Sequence, residues 1–308
     1  MSIIIDIKTT GGVGQRFDRW VKKTFPRVSF GELQKWLRTG QVRVNKKRIK
    51  SSYVLQGDDL VRFPPHFVEF QTIFHDDSKP TGNKKTRALL QQSIVFEDDS
   101  CVVINKPQGL AVQGGTGLRD YVDLYLDNLL EGQIETLRIT HRLDKDTAGL
   151  LILAKTQDSA RYYTQAFKNH KILKTYNAVV VGRLPEHAGT IDLPIGKMRG
   201  IEREKVSSHA EQVDEAITEY KELAYDREYD VTLVALRPHT GRTHQLRVHM
   251  LEGLECPILG DGKYGGKAAH PFDKEITLHL AAIGLEFTSE IGAPVRLTLP
   301  LPDFFMDL

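Results

Sequence analysis

The sequence predicts an α+β protein with a mainly antiparallel sheet, preceded by a small basic α/β module. Three observations carry that reading. Strand-like runs after residue 94 follow one another too often without a helix between them for a parallel doubly wound sheet. Basic residues crowd into the first 65 positions. Residues 64–93 then lose apolar periodicity and fill with polar and chain-breaking residues. The expected division is a module at 1–65, a linker at 66–93 and a main domain at 94–308.

Composition agrees with two ordinary globular domains. At 308 residues each can bury a core, and 40% hydrophobic with 27% charged residues is normal for that class. No apolar run approaches the length of about 18 residues needed to span a bilayer. The start, MSIIIDIKTTGG, lacks the features of a secretory signal. Cys101 and Cys256 are too few and too far apart for a disulfide framework or a zinc site. A reducing, cytoplasmic compartment is expected.

The module reads as two helices and short strands. In GQRFDRWVKKTFP, Phe17, Trp20, Val21 and Phe25 recur at helical spacing, and Pro26 should stop the helix. SFGELQKWLRTGQ opens with Ser29 and Glu32 spaced for a capping box and ends at Gly40, suited to a helix stop. Trp20 and Trp36 fall on the apolar stripes, so core packing is expected of both. QVRVNKKRIK alternates and turns at Asn45, and QGDDLVRF gives one more strand. Residues 1–65 hold 14 Lys or Arg against five acids, a net +9, on a body that carries −7. That asymmetry suits a nucleic-acid-binding appendage. Arg38, Lys46, Lys47 and Arg48 are its candidate RNA contacts, able to follow phosphates without reading bases.

In the main domain, SIVFEDDSCVVINK reads as strand, acidic turn and strand. Further strands are expected at 150–154, 176–184, 217–224, 230–237, 276–288 and 294–299, with helices near 118–130, 157–169 and 244–251. RITHRLDKDTAGLLILAKT, 138–156, sets a charged loop against a strand apolar on both faces. Loops held by a scaffold are where catalytic groups concentrate, although a charged loop is more often a solvated turn. RPHTGRTHQLRVHM, 237–250, gathers Arg237, Arg242 and Arg247 at a helix start that Thr240 could cap. Neither GGTGLRD nor GDGKYGG completes a phosphate-binding loop, and HRLD has no accompanying kinase motifs. His239, His244 and His249 sit five apart, which does not stack imidazoles on one helix face for zinc.

HRLDKDTAGLLILAK, KTYNAVVVG, RPHTGRTHQLRVHM and PILGDGKYGG, with NKPQGLAVQGG ahead of them, together resemble the RluA-type pseudouridine synthases. The module in front is similar to the S4 RNA-binding domain, and the combination is most like the RluC branch. The resemblance implies isomerisation of uridine to pseudouridine in large-subunit (23S) ribosomal RNA, with no cofactor and no metal. It implies Asp144 as the essential aspartate, Arg247 as its arginine partner and Tyr176 as the ring against the target base. Arg142 and Arg242 would contact the substrate RNA, His141 would be structural, and Asp146 would point away and help hold the loop. Ala148 stands where the family usually has Ser, which puts one local hydrogen bond in question. The carboxylate could attack as a nucleophile or take a proton from the sugar, and sequence does not choose. A monomer with no membrane partner is expected. The alternatives are a synthase acting on tRNA or other RNA, and a non-catalytic RNA-binding factor for ribosome assembly.

Overall fold

The computed structural model describes residues 3–6, 12–25, 28–67, 82–115, 118–130, 132, 136–198, 205–272 and 276–305. The chain forms two compact units, residues 1–81 with 115–117, and residues 82–114 with 118–308. No helix among the described residues is long and apolar enough to cross a membrane.

In the first unit, strand β1 (Ile3–Asp6) pairs with β3 (Leu60–Phe63), which also pairs with β2 (Arg43–Val44). Helices α1 (Phe17–Thr24) and α2 (Phe30–Thr39) bury the expected stripes. Phe17, Trp20, Leu33, Trp36 and Phe63 share one core, so both tryptophans are packing residues. The Ser29 side chain accepts from the Glu32 amide and Glu32 accepts from the Ser29 amide, closing the capping box. Gly40 ends α2 with φ +72°, where a Cβ would be strained. Pro26, expected to stop α1, lies outside the described residues, as do residues 68–81 of the expected linker. Residues at the two ends of that linker belong to cores. Phe67 is buried in the first unit, and Leu90 in the second, on helix α3 (Lys84–Gln92).

The second unit is built on a ten-stranded sheet. Its path runs β4 (Ile94–Glu97), β5 (Cys101–Lys106), β7 (Ala148–Ala154), β14 (Leu280–Thr288), β8 (Leu173–Val181), β13 (Val231–Pro238), β12 (Ile217–Asp226) and β9 (Ala188–Asp192). Strand β6 (Arg138–Ile139) adds to β7, and β15 (Pro294–Thr298) adds to β14. Every pairing is antiparallel except β7 with β14. Strand β7 is buried along its whole length, as its unbroken apolar run predicts. Helix α4 (Gln157–Lys168) follows it, capped by Thr156 accepting from the Ser159 amide. Strands β10 (Gly196–Lys197) and β11 (Val206–Ser207) form a separate ribbon.

Two expected helices differ. Residues 118–130 carry apolar groups at helical spacing, and Val122, Tyr125, Leu126 and Leu129 are buried, yet only Val122–Leu124 forms a 3-10 turn. The amides of Val122 and Asp123 donate to the carbonyls of Ala111 and Val112, and the Leu126 carbonyl accepts from Leu137. Groups that a helix needs are therefore already used by neighbouring backbone. The segment near 244–251 forms only one α-turn, α5 (Gln245–Val248), then a π-helical turn at His249–Gly253.

The close approach at the start of β7 has a measurable consequence. Gly149 has φ +114°, and a Cβ there would lie 2.1 Å from the Ala282 carbonyl oxygen. Gly149→Ala is expected to cost about 2–4 kcal/mol by pushing β7 off β14. Denaturant unfolding measures this, and an unchanged midpoint would contradict the pairing.

Candidate active site

A cleft of about 540 Å³ opens where β7 begins and β13 ends. Its walls come from five places. The loop after His141 leads into β7, and Phe167, Lys168 and His170 lie at and just past the end of α4. Lys174 and Tyr176 lie on β8, the segment from Pro238 to Arg247 runs from β13 into α5, and Leu280 opens β14. Tyr176 pairs across the sheet with Leu236 on one side and Ala282 on the other, so its position is set by two strands.

The 141–147 loop is fixed through its backbone. His141 Nε2 accepts from the Ile152 amide at 3.0 Å, its ring lies 4.1 Å from that of Phe167, and Thr140 Oγ1 donates to the Ile152 carbonyl. Burial, then the charge of Lys174, pushes His141 down to about 3, so it is a neutral acceptor. From the other side the fully buried Lys106 Nζ donates to the carbonyls of Pro107, Leu110 and Lys145 at 2.9, 2.8 and 3.2 Å. Burial pushes Lys106 down to about 7 against the charges of Asp146 and Asp144. Gln108 Nε2 donates to the Asp146 carbonyl at 2.9 Å. The Thr147 amide donates to the Asp144 carbonyl, closing the turn that presents the Asp144 side chain.

Asp144 keeps 23% of its side chain exposed, while His244 and Arg247 keep 11% and 8%. Its Oδ2 stands 3.9 Å from Arg247 Nη1 and 3.7 Å from His244 Nε2, both beyond hydrogen-bond length. The direct bonds of Arg247 go instead to Asp261, from Nε at 2.8 Å and Nη2 at 2.6 Å. Asp261 also accepts from the amides of Lys263 and Tyr264 at 3.0 Å each. The Tyr264 ring lies under the Arg247 guanidinium, 5.1 Å from it, and its hydroxyl meets His244 Nδ1 at 2.6 Å. Burial, and next the charge of Asp144, raises the Tyr176 phenol well above its ordinary value, so it holds its proton.

An RNA pseudouridylate synthase family model matches residues 100–252, and an S4 domain model matches residues 15–61. The ribosomal large subunit pseudouridine synthase C of Rickettsia typhi is 34% identical over 307 residues, covering 98% of each chain. That of Vibrio parahaemolyticus is 31% identical over 295 residues, 96% of this chain and 88% of the relative. The chain belongs to the RNA pseudouridylate synthase family. Among solved structures, human RNA pseudouridylate synthase domain containing 4 superposes with a TM-score of 0.59 at 31% identity, over 72% of this chain and 93% of that one. The protein is an RNA pseudouridine synthase, an isomerase.

The synthase cleft collects most residues named from sequence. Asp144, Tyr176, Arg247, Arg142 and Arg242 all line it, while Asp146 is exposed outside it. Arg242 is exposed, with Nε donating to the Glu215 carbonyl. Arg38, Lys46, Lys47 and Arg48 are exposed in the first unit. Arg247 makes its hydrogen bonds to Asp261 through Nε and Nη2, and its Nη1 forms a longer ion pair with Asp144 at 3.9 Å. One expectation needs correction: Thr240 does not cap α5. Its hydroxyl donates to Gln245 Oε1, and His244 holds the cap position without a side-chain bond. His239, His244 and His249 face separate partners, Glu219, Tyr264 and the Leu193 carbonyl. No cluster among the described residues could hold a metal ion.

Lys106, His244, Asp261 and Tyr264 were assigned no role from sequence. Their only signal was membership of NKPQGLAVQGG, RPHTGRTHQLRVHM and PILGDGKYGG. Asp261→Ala leaves a buried guanidinium unpaired, and a loss of about 3–5 kcal/mol is expected. Replacing both partners, Arg247→Met with Asp261→Leu, should restore most of that stability without restoring turnover. Thermal and denaturant unfolding check both, and a native-like single variant would contradict the pairing.

Proposed function

We propose that this synthase converts uridines of large-subunit ribosomal RNA to pseudouridine, with Asp144 as the reacting carboxylate. The observation that carries the proposal is the charge pattern of the cleft. Among the described residues lining it Asp144 is the single acid, set among Arg142, Lys168, Lys174, Arg242 and Arg247. A cationic cleft with one carboxylate suits a polyanion whose sugar is to be attacked. The ribosomal class of RNA is supported by the names of the relatives and by the S4 match.

The reaction must break the bond from C1′ to N1, turn the uracil and join C5 to C1′. Asp144 acts on the ribose, either as a nucleophile at C1′ or by taking a sugar proton. Either role needs free carboxylate lone pairs, and the 3.9 Å gap to Arg247 leaves them free while keeping a positive charge close. Tyr176 lines the cleft and packs against the uracil, with its raised phenol keeping its own proton. The proton that leaves C5 is balanced by the one that N1 gains, so the reaction needs no net proton. Arg142 and Arg242 hold the flanking backbone. A uridine in structured RNA must first leave its stack, at a cost of a few kcal/mol that phosphate contacts can offset.

The chain works as a 1–65 S4-like module, a joining segment and a catalytic domain, acting as a monomer in the cytoplasm. Arg38, Lys46, Lys47 and Arg48 supply sequence-independent affinity.

Asp144→Asn should fold and bind RNA normally while turnover falls by about 10⁴ or more, whereas Asp146→Asn should lose far less. Equal losses in the two variants would remove the case for Asp144. Pseudouridine mapping in ribosomal RNA from cells lacking the protein tests the substrate, and an unaltered large-subunit map would overturn it. Replacing Lys46, Lys47 and Arg48 together by Ala should make log affinity against log salt shallower by about 2–3. An unchanged slope would show that these side chains do not meet phosphate.

A further inference from the structure

His244 occupies an unusual place for a residue with no assigned role. Its backbone is left-handed, φ +54° and ψ 20°, a conformation that non-glycine residues adopt uncommonly and at a cost. The imidazole is 11% exposed and bridges two groups, with Nε2 3.7 Å from Asp144 Oδ2 and Nδ1 2.6 Å from the Tyr264 hydroxyl. The Val206 amide donates to the Tyr264 oxygen at 3.2 Å, which leaves the phenol proton available to Nδ1. The tautomer that suits both neighbours has Nδ1 accepting that proton and Nε2–H facing the Asp144 carboxylate.

We propose that His244 is a positioning residue for the Asp144 carboxylate. Its Nε2–H, oriented by Tyr264, closes onto Oδ2 when RNA fills the cleft. The inference rests on the reading of Asp144 as the reacting group. Hydrogen bonds at catalytic centres are commonly long before substrate binds, so a gap of 3.7 Å is the open form of such a contact. Asp261 holds Arg247 through Nε and Nη2, so only Nη1 faces Asp144, 3.9 Å from Oδ2. The arrangement therefore divides two tasks. Arg247 supplies charge at a distance, and His244 supplies a directional donor that leaves the other carboxylate oxygen for the ribose. Other groups around the imidazole are Lys263 and Asp261 on the turn before Tyr264, Arg247 on α5, and Tyr176 and Arg242 in the cleft. Burial holds His244 below its ordinary value against the opposing charge of Asp144, which keeps the donor tautomer neutral at pH 7.

Kinetics on a short RNA carrying a target uridine test this, with the full-length protein at saturating RNA. His244→Asn tolerates the left-handed backbone but is too short to reach Asp144. It should lower kcat roughly 10- to 100-fold with little change in KM. His244→Gln, which can place an N–H where Nε2 stood, should recover most of the loss. Tyr264→Phe should fall between the two. Equal activity of the Asn and Gln variants, or a loss confined to KM, would each overturn the proposal. If His244→Asn melts well below the native protein, Tyr264→Phe decides, and a native kcat there would overturn the proposal. Asp144→Asn run alongside separates the two readings. If it is inactive while the His244 variants are normal, only the role of His244 falls. If it is active, the choice of Asp144 falls.

Discussion

The buried pair of Arg247 and Asp261 is the constraint on which the rest of the site depends. Both side chains are almost excluded from solvent, and a bidentate fork joins them at 2.8 and 2.6 Å. Charges so placed are stable only when paired and hydrogen-bonded, and Asp261 meets that condition by also accepting two backbone amides. Its second effect is on distance. With Nε and Nη2 engaged by Asp261, only Nη1 is left to face Asp144. Held 3.9 Å away, it still attracts, because unit charges about 4 Å apart interact by roughly 4 kcal/mol at an effective dielectric near 20. Partial exposure of Asp144 reduces that figure without removing it.

The same turn carries Tyr264, and through it the pair reaches a second element. Tyr264 packs on Arg247, meets His244 and accepts from Val206 on β11. One aspartate therefore fixes the charge, the aromatic support and the imidazole along a single wall of the cleft. Gln245 secures the base of that wall. Its amide nitrogen donates to the Ile217 carbonyl and the Thr218 hydroxyl, and its oxygen accepts from Thr240 and the Arg242 amide. An α-turn of four residues has little stability of its own, and these tertiary bonds replace what helix length would give.

Elements whose identity depends on local chemistry were legible in the sequence. Ser29 with Glu32, and Gly40, mark α2 because caps are made by adjacent residues. The uninterrupted apolar run of β7 marks a strand buried on both faces. Residues 118–130 misled because their apolar spacing is helical while their backbone groups bond to residues 111, 112 and 137. Strands β9, β10 and β11 escaped notice since they are short or exposed on most positions and carry no alternation. The pairing of Arg247 with Asp261 joins positions whose proximity the fold creates, and nothing in their spacing along the chain marks it.

The loop around Asp144 shows most clearly why composition understates a site. Lys145 and Asp146 are exposed, and a charged run of that kind ordinarily reads as a solvated turn. Two of the bonds that fix it are made to carbonyl oxygens, which any residue supplies. Lys106 binds the carbonyl of Lys145, Gln108 binds that of Asp146, and His141 anchors the loop to Ile152 on β7. A misplacement of about 1 Å can cost 10²-fold in rate, so holding the turn from both sides matters as much as the identity of the carboxylate. The buried ammonium of Lys106 is suited to that task. It has three donors to place and no room for water, and three carbonyls converge on it. A lysine 38 residues upstream of Asp144, fully buried, thus braces the turn that carries that side chain.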